Sequence, residues 1–149
     1  MKQQDFEAFL ADSTKLINED ILWQRDEDHP PTMQFRVAMI SKVRYPIRVI
    51  GSYNSATQAL TYALIHSQFG RIYALDMGKG HQNPSGSRVG RTHKHRWDEF
   101  YHDKEAYEPN DITALANDPV TVWKQFCNEA RVTHSGVMYL QFLLQGEGF

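Results

Sequence analysis

Between Met77 and Trp97 the chain carries three histidines, His81, His93 and His95, five cations, Lys79, Arg88, Arg91, Lys94 and Arg96, and no acid. Imidazole has an ordinary pKa of about 6.5, so both its forms are present near neutrality. One histidine of a pair can therefore take the proton of a ribose 2′-hydroxyl while the other protonates the leaving oxygen. Nearby Arg or Lys would stabilise the charge that builds on phosphorus. On this reading His93 and His95 are the acid/base pair, with His81 and Arg91 completing the site. Lys79, Arg88, Lys94 and Arg96 hold phosphate, and no cofactor is needed. The expected activity is that of a small, metal-independent ribonuclease of the toxin or defence kind.

Two other chemistries use the same residues. His81, His93 and His95, with Asp76 or Glu99, form a plausible nitrogen and oxygen ligand set for a metal ion. The spacing His93-x-His95-x-x-x-Glu99 resembles the first metal motif of cupins, although the glycine after the glutamate and the second histidine motif are missing. Alternatively the basic stretch only docks, on nucleic acid (RNA before DNA) or on an acidic protein surface, as an inhibitor or antitoxin-like partner would. Nitrogens converging on one centre would indicate metal, whereas a pair flanking an anion-sized gap would indicate phosphate chemistry.

Positioning these residues requires a sheet. Two residues apart on a strand, His93 and His95 share a face with Arg91 and Trp97, and Lys94 and Arg96 point the other way. That strand is expected over Arg91 to Trp97. Asn83-Pro84-Ser85-Gly86 has the residues of a type I turn, which separates it from a strand at Arg71 to Met77 and places His81 on a loop above the pair. Upstream, Met33, Phe35, Val37 and Met39 alternate with Gln34 and Arg36, and further strands are expected at Ile47 to Tyr53 and Leu60 to His66. The gaps between them are too short for parallel crossovers, so the strands should run antiparallel.

A helix is expected at each end. Phe6, Phe9, Leu10, Ser13, Ile17 and Ile21 recur at helical spacing, predicting a helix of about 18 residues that stops before Pro30-Pro31. Asp118 caps a second helix, with Pro119 at its first position and Val122, Trp123, Phe126, Cys127 and Ala130 on its buried face. Val137 to Leu144 is expected as a closing strand. The predicted fold is α+β, an antiparallel sheet of about five to six strands with an N-terminal and a C-terminal helix.

The remaining histidines, the cysteine and the tyrosines read as structural. His66 ends an apolar strand, His102 sits in an acidic loop that is solvated by default and could also close over the site, His29 and His134 have no evident partner, and Tyr45, Tyr53 and Tyr62 suit the core. Cys127 lies in a helix's apolar stripe.

The 149 residues, 41% hydrophobic, suit one domain, 1-149. One cysteine forms no internal disulfide, and no stretch suits a signal peptide or a membrane span, which predicts a soluble, cytoplasmic protein with no membrane partner. The net charge of −2 hides a partition. Residues 1–28 are net −5 and residues 98–149 net −6, while residues 29–97 hold Asp76 as their one acid and are net +9. Either the acidic ends neutralise this middle or the fold presents a positive face.

Gly70-Arg71-Ile72, Leu75-Asp76, His81-x-Asn83-Pro84-x-Gly86 and His93-x-His95 together resemble the core of a family of short, uncharacterised bacterial and prophage proteins with an HxNPxG turn followed by an HxH strand. The likeness is looser through Trp123 to Asn128 and at Gln145-Gly146. This chain has Arg96 and Trp97 where the family has an apolar residue and a tyrosine. The resemblance implies that Asp76, His81, Asn83, Pro84, Gly86, His93 and His95 act as one unit, in a setting where toxins, defence factors and their inhibitors are common.

Overall fold

The computed structural model describes residues 1–140. The chain begins with helix α1 (Gln3–Ala11), which buries Phe6, Phe9 and Leu10. Three short strands follow, β1 (Leu16–Ile17), β2 (Ile21–Leu22) and β3 (Gln24–Arg25). Then come β4 (Met33–Ala38), β5 (Ile47–Asn54), β6 (Ala59–His66) and β7 (Gly70–Met77), the hairpin β8 (His81–Gln82) and β9 (Arg88–Val89), β10 (Thr92–Arg96) and β11 (Ala106–Tyr107). Helix α2 (Pro119–Glu129) precedes β12 (Thr133–His134) and β13 (Met138–Tyr139).

The fold is α+β. Seven strands form an antiparallel sheet in the order β11-β10-β7-β6-β5-β4-β3. Met33, Phe35 and Val37 are buried and their neighbours exposed, so β4 has one wet and one dry face, as its alternation requires. On the dry face Phe35, Tyr62 and Tyr73 meet Trp123 and Phe126 of α2. Asp118 accepts the Thr121 N–H, and Pro119 loses no bond at the first turn, so α2 starts where its sequence indicates.

The N-terminal helix is half as long as its apolar spacing predicts. Its end is built by polar groups: Asp12 accepts the N–H and hydroxyl of Thr14, and the buried Lys15 ammonium donates to the carbonyls of Leu10 and Asp12. Those bonds satisfy helix-end carbonyls that a continuing helix would have used. Ile17 and Ile21 are buried as strand residues instead, β1 pairing in parallel with β12 and β2 with β13. The closing strand appears at Met138–Tyr139; residues 141–144 of the expected span lie outside the described residues. Among the described residues no helix is long and apolar enough to cross a membrane.

Candidate metal centre

The register brings the histidines to a carboxylate. In the β7/β10 ladder His93 faces Asp76 and His95 faces Ala74, so all three polar side chains rise from the same face of neighbouring strands. Thr61 of β6 sits opposite Asp76 on its other side and donates its hydroxyl to Oδ1 at 2.8 Å. Oδ2 is left facing the rings, 3.3 Å from His95 Nε2 and 3.6 Å from His93 Nε2. Arg71 reaches the same oxygen at 3.4 Å and holds Asp103 at 2.9 Å.

His81 arrives from the β8/β9 hairpin. Gly86 closes its turn at a positive φ of 105°, with its N–H on the Asn83 carbonyl at 2.9 Å. The Asn83 side chain, almost fully buried, pairs with Ala106 in both directions, accepting its N–H and donating to its carbonyl at 2.8 Å each. That pairing pins the hairpin to β11. One ring nitrogen from each of His81, His93 and His95 lies within 4.8 Å of the other two.

The outer nitrogens define the tautomers. His93 Nδ1 lies 2.9 Å from the Gly90 carbonyl, His95 Nδ1 2.7 Å from the Asp103 carbonyl and His81 Nε2 2.8 Å from the Lys104 carbonyl. A carbonyl only accepts, so each of these nitrogens carries a hydrogen. The lone pairs of the neutral rings therefore sit on His93 Nε2, His95 Nε2 and His81 Nδ1, and the first two face a carboxylate oxygen. Burial alone would raise the Asp76 pKa, but His93 and His95, which donate to it when their Nε2 atoms carry a proton, together with the Thr61 hydroxyl and the charge of Arg71, hold it well below the usual carboxylate range. Burial likewise opposes protonation of His93, and Asp76 with the Gly90 carbonyl overcomes it and raises its pKa.

The remaining residues singled out by sequence are placed elsewhere. Lys94 is not a phosphate ligand: it is fully buried on the opposite face, against Asp111 at 2.7 Å and Glu129 at 2.8 Å. Arg96 pairs with Glu7 at 3.0 Å, also away from the rings. Arg91 is exposed and bonds the Gly78 carbonyl, Arg88 bonds Gln82, and Lys79 is exposed. None of these five cations is placed in the histidine cluster as a ligand or partner. Glu99 accepts the Gln3 N–H and takes no part.

His66 accepts two loop N–H groups, His102 stacks flat on Trp97, and His134 accepts from the Trp123 indole. Cys127 is buried, which pushes its thiol pKa up. Sequence reading passed over Thr61, Asp103 and the carbonyls of Gly90, Asp103 and Lys104. Backbone acceptors leave no sequence signal, and Asp103 is one of many acids in its stretch.

A family model described as a family of unknown function, DUF6978, matches residues 1–132. No curated protein and no solved structure matches the chain.

Proposed function

The chain belongs to DUF6978, a family of unknown function, and from its residues we propose that it binds one first-row divalent metal ion through His81, His93, His95 and Asp76 and uses that ion in hydrolysis. The carrying observation is the pair of distances from Asp76 Oδ2 to the two Nε2 atoms, 3.3 and 3.6 Å. Charge-assisted N–H···O bonds run at about 2.7–2.9 Å. Two ligand atoms bound tetrahedrally at about 2.0–2.1 Å from one ion stand about 3.3 Å apart. Three neutral imidazoles with one carboxylate suit a divalent ion, whereas three imidazoliums beside Arg71 would repel one another.

The surroundings match what metal-ligating histidines require. Each ring is oriented by a carbonyl on its far nitrogen, and the carboxylate by Thr61 and Arg71. Such an ion lowers the pKa of bound water and polarises a phosphoryl oxygen. The exposed Lys79, Arg88 and Arg91, on and beside the hairpin that carries His81, make nucleic acid the favoured substrate class, in a bacterial or phage setting of the toxin and defence kind. Metal-free acid/base cleavage by His93 and His95 is the second reading, favoured by the raised pKa of His93; Asp76 between the rings weighs against it, because its charge repels a phosphate.

Elemental analysis of protein purified without a histidine tag tests the proposal. About one Zn, Fe, Mn, Co or Ni per chain, lost in Asp76→Ala and His95→Ala variants that stay folded, is the expected result. Metal-free protein that takes up none of these ions on titration overturns it.

A further inference from the structure

The sheet carries a bulge where it supports the histidine centre. Arg71 and Asp76 lie five residues apart on β7, an odd separation that puts residues of a regular strand on opposite faces. Pairing with β6 slips by one between them, since Tyr73 faces Leu64 whereas Arg71 faces Ile65 and Ile72 is passed over. A bulge of this kind re-aims the side chains beyond it. Arg71 therefore joins Thr61 and Asp76 on the histidine face, where its guanidinium reaches Asp76 at 3.4 Å and Asp103 at 2.9 Å.

Those two contacts leave most of the guanidinium unused. It carries five N–H groups. Arg71 gives its Nε hydrogen to Asp103 and one Nη1 hydrogen to Asp76, so the other Nη1 hydrogen and both on Nη2 have no acceptor among the described residues. The side chain is 30% exposed, against 4% for His93 and 2% for His95. An incoming group therefore reaches the centre past Arg71, Asp76 and the half-buried His81, and not through the two rings beneath.

Charge selects what that group is. With the rings neutral, two carboxylates against one guanidinium leave the cluster one negative charge, and a divalent ion turns this into one positive charge. An ion about 2.0–2.2 Å from Asp76 Oδ2 lies within about 5.6 Å of Arg71 Nη1. One phosphoryl group spans that gap, with an oxygen on the ion and another about 2.7–2.9 Å from the guanidinium.

We propose that Arg71 is the anion-holding residue of the centre, gripping one oxygen of a phosphoryl group whose second oxygen lies on the metal ion. Arginine suits the task because its planar fork of donors matches phosphate. The inference rests on the metal reading and narrows its substrates to phosphoesters.

Cobalt-loaded, full-length protein tests it, because the visible bands of Co²⁺ report what joins its coordination sphere. Cobalt content is measured in every variant before and after addition of inorganic phosphate or of azide, which needs only the ion. Phosphate should bind the wild type, and the metal-free protein at least about tenfold more weakly. Arg71→Gln should lose at least about tenfold in phosphate affinity and stay within about twofold for azide. Arg71→Lys keeps a charge beside Asp76 without the fork and should lose at least about threefold for phosphate, which preserves the comparison if the Gln variant releases its metal. Arg36→Gln, an equal loss of charge on the exposed side of β4, should stay within about twofold for both anions. Phosphate affinity equal in the wild type and both Arg71 variants, phosphate and azide weakened alike, or phosphate held as tightly without cobalt would each overturn the proposal and leave the metal reading in place. Absence of cobalt uptake overturns both.

Discussion

Asp76 and His95 are joined across adjacent strands by an oxygen and a nitrogen 3.3 Å apart, and the nitrogen is the one left without a hydrogen in the neutral ring. Two acceptors at that separation are reconciled by a proton on the ring nitrogen or by the proposed metal ion between them. Asp76→Asn removes the charge and keeps the shape, so metal affinity should fall at least tenfold. Titration calorimetry with Zn²⁺ checks this. Saturating metal should raise the Tm of the wild type and leave that of the variant nearly still.

Asn83 should matter more to the centre than its place in a turn suggests. Asn83→Ala leaves the N–H and carbonyl of Ala106 without partners, a cost of about 2–3 kcal/mol. It also frees the hairpin that presents His81. Urea unfolding should show the loss, and metal affinity should drop in protein that remains folded; unchanged affinity would mean that His81 is not a ligand.

Lys94 separates a structural cation from a phosphate-binding one. Removing one member of a buried charge network leaves the others uncompensated, and the partial exposure of Asp111 and Glu129 softens the effect. Lys94→Met should cost about 2–3 kcal/mol in unfolding experiments. Metal stoichiometry should survive.

Gly51 makes room for a ring. A Cβ at this position would lie 2.0 Å from Phe35 Cε2, and the ring is held edge-on by Trp23 and Trp123. Gly51→Ala should therefore destabilise the protein by about 1–3 kcal/mol. Combining it with Phe35→Leu should recover part of that loss, a non-additivity that a double-mutant cycle measures.

Lys15 predicts a rise of stability with alkaline pH. Burial pulls its pKa from 10.5 down to about 8, against the opposing pull of Asp12. Between those values the unfolded chain still holds the proton that the folded chain has released, so stability from this group increases as pH rises from about 8 to 10.5. Below about 8 the full cost of the buried charge is present. Urea midpoints of the wild type should gain on those of Lys15→Met between neutral pH and pH 10; parallel profiles would count against the buried, titrating ammonium.

What could be read from the sequence was local. Alternation placed His93 and His95 on one face, the Asn83 to Gly86 turn and the Asp118 cap lay where their side chains could bond nearby backbone, and the long strands fell within a residue or so of their expected ends. The reach of α1 was not legible, because Ile17 and Ile21 satisfy helical spacing and short buried strands equally well. Their choice was made by β12 and β13, more than a hundred residues away. Tertiary structure alone decided which acids meet which bases. Asp76 reaches the rings through strand register, Asp103 and Lys104 supply carbonyls from a loop, and Lys94 is claimed by Asp111 and Glu129 on the far side of the sheet. Charge counted along a chain is blind to this, since Coulomb interactions act through space and each β-strand sends neighbouring residues to opposite faces.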